Sequence, residues 1–131
     1  KVAGAMTFGS HGSTFGGNPL AMSVGNAVLD VVLKKGFLTN VQKNSKYFHS
    51  ELQELQFEFP HVIKQVRGMG LLIGLQIFVD QSKFIKKIME KNMLTIRAAE
   101  NVIRILPPLT VTKKEIDLAI AILKKVCKTY K

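Results

Sequence analysis

A chain of 131 residues, 47% hydrophobic and 21% charged, has the length of one domain and enough apolar material for a core. That balance excludes a disordered chain, and no apolar run reaches the ~18 residues that a membrane-spanning helix needs. The formal net charge is +10, but 16 of the 19 basic residues are lysines dispersed along the chain, which argues for a solvated surface rather than a nucleic-acid interface.

Cys127 is the single cysteine, so neither an internal disulfide nor a cysteine-rich metal site can form. A half-buried or surface thiol on a helix is expected there, and one cysteine fits a reducing compartment. The first residue is Lys1, not methionine, and no secretory signal opens the chain. A processed, trimmed or excised sequence is the expectation.

Residues 1–17 are rich in glycine, serine and threonine and predict loop. Asn18-Pro19 then predicts a helix start, because asparagine caps well and proline suits the first helical position. Leu20, Val24, Ala27, Val28 and Val31 recur at helical spacing, and Gly36 should end that helix. A second helix is predicted over residues 37–56, with Leu38, Val41, Phe48, Leu52 and Leu55 on one side.

Phe59-Pro60 closes the second helix, and residues 62–66 predict a short strand. After Gly68 and Gly70, the apolar run 71–78 predicts another strand. A third helix fits residues 81–91, and residues 94–97 and 102–106 are strand candidates. Thr112 and Glu115 have capping-box spacing, so a last helix should begin there, with Ile116, Ala119, Ile120, Leu123 and Val126 as its apolar stripe. The order predicts an α+β fold with helices packed on one face of a small, mainly antiparallel sheet.

The densest chemistry lies in residues 11–19, His-Gly-Ser-Thr-Phe-Gly-Gly-Asn-Pro. Ser13 and Thr14 offer adjacent hydroxyls, glycines allow close backbone approach, and a helix N-terminus favours an anion. An anion site and an ordinary glycine-rich turn both fit those residues. Gly68 to Gly74 has the spacing G-x-G-x-x-x-G ahead of a strand-like run, which fits close packing rather than a dinucleotide site. Arg104 lies between apolar neighbours and should point opposite to Ile103 and Ile105. It could clamp a carboxylate with two parallel hydrogen bonds or form a structural ion pair. Arg67 and Arg97 read as structural. His11, His49 and His61 have no metal-ligand spacing; His49 reads as a surface residue.

The stretch from Gly12 to Ala21 resembles the signature of the class III pyridoxal-phosphate-dependent aminotransferases, and residues 24–33 resemble their acetylornithine branch. Residues 66–75, 97–99 and 102–109 and the run Glu115-Ile116-Asp117 are similar to later family segments, in the same order. The resemblance implies a fold type I enzyme of which this is the C-terminal portion. Residues 1–17 would be the tail of the large cofactor domain, and residues 18–131 the connecting helix and small domain. It implies that Ser13 and Thr14 bind the phosphate of pyridoxal 5′-phosphate across a homodimer interface, and that Arg104 binds a substrate carboxylate.

The implied reaction moves an amino group between N-acetylornithine and 2-oxoglutarate, in arginine biosynthesis in the cytoplasm. Small amino and 2-oxo acids, not nucleic acid or membrane, would be the partners. The family's cofactor lysine lies upstream of the loop, and Lys1 is too close to the loop to be it. The aspartate that pairs with the pyridine nitrogen is also missing from these residues, so the segment alone should be inactive. Alternatives are another ω-aminotransferase (ornithine or succinyldiaminopimelate) or a non-catalytic basic domain that binds anions.

Overall fold

The computed structural model describes residues 2–9 and 11–130, and Lys1 lies outside them. The chain divides into two compact units, Lys1–Leu38 and Thr39–Lys131.

In the first unit one helical turn, α1 (Val2–Ala5), stands where the sequence predicts only loop. Two of its four residues are alanine, which loses no side-chain entropy in a helical turn. Helix α2 (Pro19–Val32) starts where expected: Asn18 Oδ1 accepts from the Ala21 N–H at 2.9 Å and Asn18 Nδ2 donates to the Phe15 carbonyl at 2.6 Å. It ends earlier than predicted, at Val32, and Gly36 turns the chain further on at φ 88°. The apolar stripe of α2 is present, yet none of its residues is buried.

Helix α3 (Phe37–Glu58) straddles the division and runs two residues past the predicted end. It sends Phe48, Leu52 and Leu55 into the core of the second unit. Four strands follow: β1 (Ile63–Met69), β2 (Leu72–Ile77), β3 (Ile96–Ala98) and β4 (Val102–Ile105). All pairings are antiparallel, in the order β1-β2-β4-β3. Helix α4 (Gln81–Met89) lies between β2 and β3 in sequence, and α5 (Lys113–Cys127) closes the fold. Asp80 caps α4 by accepting from the Lys83 N–H at 2.7 Å.

The α+β expectation holds. The core joins Phe48 and Leu52 of α3, Phe84 and Ile88 of α4, and Ile116, Leu123 and Val126 of α5 to Ile73, Leu75, Ile103 and Ile105 of the sheet. A bulge in β1 sets the register: Ile63 pairs with Ile77, but Gln65 pairs with Gln76. That extra residue lets Ile63 and Val66 both face the core. Gln56 Nε2 donates to the carbonyl of the bulged Lys64 at 2.9 Å.

One expectation about a polar group is corrected. Cys127 is fully buried, not surface or half-buried, because it lies on the inner side of α5; burial, and then the charge of Glu58, push its thiol up to about 12. His49 lies at the surface of α3 as expected, partly exposed, and its Nε2 is 3.1 Å from the Gly70 carbonyl, so it helps seat the β1–β2 turn.

The capping box of α5 is complete. The Glu115 N–H donates to Thr112 Oγ1, and the Thr112 N–H and hydroxyl donate to Glu115 Oε2 at 2.8 and 2.7 Å. Those bonds hold the Glu115 carboxyl below the usual carboxylate range. A carboxyl lowered on folding stabilises the fold above its unfolded pKa, and that contribution disappears as pH falls through the folded value. Thr112→Ala is expected to cost about 1 kcal/mol and to flatten the acid limb of a stability–pH curve. An unchanged midpoint in urea at pH 7 would refute the cap's contribution.

Candidate functional site

Antiparallel partners put their side chains on the same face of a sheet. The register therefore sorts the second unit's arginines. Val66, Leu75, Ile103 and Arg97 form one cross-strand row on the core face, where Arg97 Nη2 donates to Ser82 Oγ of α4. Arg67, Gly74, Arg104 and Ile96 form the next row, on the opposite face. Arg104 thus points away from Ile103 and Ile105, as its position in the sequence predicts.

This outer face carries Met69, Leu72 and Ile96, all exposed, around the two arginines. Gly74 lies between the arginines. A Cβ there would meet Val102 Cγ1 at 3.0 Å and Arg67 Cγ at 3.4 Å, so glycine is what leaves the row open. The result is a depression of about 500 Å³ bordered by Arg67, Gly68, Met69, Leu72 and Arg104. Gly68 closes one side at φ 136°. Its spacing to Gly74 serves close packing, as the sequence suggests.

The two arginines differ in what they bind. Arg67 Nη2 donates to Glu100 Oε2 at 2.9 Å, which bears out its structural reading. Arg104 makes no hydrogen bond or ion pair among the described residues, so the structural-pair alternative for it finds no partner. An exposed guanidinium with five unused donors has the geometry that a planar anion such as a carboxylate accepts from.

Glu100 belongs to the β3–β4 turn and was not singled out by sequence. Glu100 and Asn101 take φ of 59° and 58°, unusual for residues other than glycine. Asn101 holds that shape: its Nδ2 donates to the carbonyls of Ile77 and Val79 at 2.6 and 2.9 Å. Gln76 Nε2 donates to the Glu100 carbonyl at 3.0 Å. The Glu-Asn pair flanked by strand candidates is the signal that marks this turn.

In the first unit, Ser13 and Thr14 are exposed in the loop before α2, and their hydroxyls have no partner among the described residues. Gly17, at φ 75°, turns the chain into the Asn18 cap. His11 is exposed in the same loop. Ser13 and Thr14 thus belong to one unit and Arg104 to the other. A separate cavity of about 220 Å³, between α5 and Pro107-Pro108, has Glu115 as its one charged lining residue and so does not suit an anion. Among the described residues no cluster of His, Cys, Asp or Glu is placed to hold a metal ion, and no helix is long and apolar enough to cross a membrane.

The sequence profile of the family described as aminotransferase class-III matches residues 1–127. The chain belongs to the class III aminotransferases. Among curated class III relatives, an acetylornithine aminotransferase of Mesorhizobium japonicum is 48% identical over 120 residues, which is 92% of this chain and 30% of the relative. The acetylornithine aminotransferase of Caldanaerobacter subterraneus is 47% identical over 119 residues, 90% of this chain and again 30% of the relative. The chain therefore spans about a third of the length of the curated relatives it matches.

Solved structures agree. An acetylornithine aminotransferase from Elizabethkingia anophelis superposes with a TM-score of 0.83 at 31% identity, covering 98% of this chain and 33% of that one. A lysine aminotransferase from M. tuberculosis gives 0.85 at 29% identity, covering 92% of this chain and 28% of that one. The class III family therefore accounts for the fold as well as the sequence.

Proposed function

We propose that these residues form the C-terminal part of a pyridoxal-phosphate-dependent aminotransferase that moves an amino group between N-acetylornithine and 2-oxoglutarate, a step of arginine biosynthesis. The observation that carries the reading is the unpartnered Arg104 on the open sheet face, in a chain 48% identical to an acetylornithine aminotransferase. Its guanidinium binds and orients a substrate carboxylate, so the reacting carbon is presented in one geometry.

Residues 1–17 are the tail of the cofactor domain, and residues 18–131 the connecting helix and small domain. The loop fits a phosphate: the Ser13 and Thr14 hydroxyls are unengaged, Gly16 and Gly17 add no bulk, and a capped helix begins directly after. In the homodimer these hydroxyls hold the phosphate of the neighbouring subunit's pyridoxal 5′-phosphate. The cofactor supplies the electron sink. The cofactor lysine and the aspartate beside the pyridine nitrogen come from upstream parts of the family's sequence, so these 131 residues alone do not transaminate. The exposed apolar stripe of α2 packs on the large domain of the assembled enzyme, which works in the cytoplasm.

The test is a hybrid enzyme. This chain's residues replace the matching 120 residues of the Mesorhizobium japonicum relative, and transamination of N-acetylornithine is measured. Turnover near the parent rate supports the reading; a folded, cofactor-loaded hybrid without activity overturns it. Thr14→Ala in that hybrid is expected to weaken cofactor binding about tenfold, as befits a hydrogen bond to a charged group, and cofactor retention on dialysis checks it. The likeness to a lysine aminotransferase keeps other ω-amino donors open, and relative rates on N-acetylornithine, ornithine, succinyldiaminopimelate and lysine decide among them.

A further inference from the structure

The β1–β2 hairpin ends in a two-residue turn, Gly70-Leu71, since Met69 pairs with Leu72. Gly70 takes φ 60°, and a positive value at the first turn position suits so short a hairpin. Most such tips stand in water. This one is docked. Leu71 is buried in the core, and the Gly70 carbonyl meets two side chains of α3. Ser45 Oγ donates to it at 2.8 Å, and His49 Nε2 lies 3.1 Å away. A carbonyl oxygen only accepts, so His49 carries a proton on Nε2 and donates it. The two donors are four residues apart, on one face of α3, and together they fill both lone pairs of one oxygen. Beside Ser45, the buried Asn44 Nδ2 donates at 2.7 Å to the Val111 carbonyl, in the segment that follows β4.

Met69 and Leu72 flank that turn. They are the cross-strand pair two residues along from Arg67 and Gly74, hence on the same outer face, and they form an apolar side of the 500 Å³ depression. Met69 is 87% exposed and Leu72 53%, so packing of their own side chains does little to hold them. Their place is set by the backbone of the turn between them. We infer that Ser45 and His49 are positioning residues: by gripping the Gly70 carbonyl they hold the Met69–Leu72 wall in place against a bound substrate. They act through the turn and touch no ligand, because α3 packs on the core face of the sheet and the wall stands on the other. With either bond removed, buried Leu71 still ties the hairpin to the core, so the turn loosens without the hairpin being lost. The consequence for binding rests on the reading of this face as the substrate site.

Ser45→Ala, His49→Leu and the double variant test it in two measurements. Amide hydrogen exchange in the full 131-residue chain is expected to quicken at residues 69–72, roughly fivefold in each single variant and roughly 20-fold in the double one, while β3 and β4 keep their native rates. In the hybrid enzyme the double variant should raise KM for N-acetylornithine roughly fivefold with kcat unchanged, the mark of lost binding rather than lost chemistry. His49→Gln, whose amide nitrogen also donates, should recover most of what His49→Leu loses. Native exchange at the turn, or exchange that rises equally through the whole sheet, overturns the inference. So does a native KM in the double variant when Arg104→Ala raises it, because the site then works as well with a loosened wall. A native KM in both the double variant and Arg104→Ala removes this face from the substrate site, and the wall's role falls with that reading.

Discussion

Alanine at position 68 is expected to cost the second unit at least about 3 kcal/mol, lowering its melting temperature by roughly 15 °C or more. Gly68 lies within β1 at φ 136°, a region that side-chain-bearing residues avoid. A Cβ there would sit 2.2 Å from the Leu72 carbonyl oxygen and 3.0 Å from the Ile73 Cα, both backbone atoms of the paired strand. Neither can rotate away, so β1 would have to part from β2, and with it the row that carries Arg67 and Gly74. Gly70→Ala is the matched control. It also has a positive φ, 60°, but open space around it, so a loss of about 1 kcal/mol is expected. Thermal unfolding by circular dichroism separates the two. A Gly68→Ala protein that melts within a few degrees of the native one would show that β1 and β2 do not approach this closely.

Arg104→Ala in the hybrid enzyme is expected to raise KM for 2-oxoglutarate about 10- to 100-fold, the effect of losing charge-assisted hydrogen bonds to a carboxylate. The side chain is exposed and has no protein partner among the described residues, so its removal leaves no buried group unsatisfied and should not change the melting temperature. Arg104→Lys keeps the charge but loses the two-pronged geometry, and should recover only part of the affinity. Steady-state kinetics with both substrates, beside a thermal melt, checks this. Native KM values for amino donor and 2-oxo acid alike would remove Arg104 from the substrate site.

Local signals carried much of the architecture. Asn18-Pro19 and the Thr112/Glu115 spacing marked two helix starts, because a cap is a contact among residues three apart and can be read without knowing the fold. The alternation around Arg104 gave its direction, since strand side chains alternate whatever the strand pairs with. The family segments gave the class III resemblance and, with it, Ser13, Thr14 and Arg104 as candidates.

What depended on partners distant in sequence was decided only by the tertiary structure. That Arg67 and Arg104 share a row with Gly74 follows from the register of three strands, and a slip of one residue would put them on opposite faces. The bulge at Lys64 and the burial of Cys127 likewise depend on the packed core. The roles of Glu100 and Gly74 were invisible in the sequence because each is defined by a neighbour at least six residues away: Arg67 reaching across the sheet to Glu100, and Arg67 and Val102 closing on Gly74. Caps and alternation are short-range and written in the chain; register, burial and pairing are long-range and exist only once the strands have met.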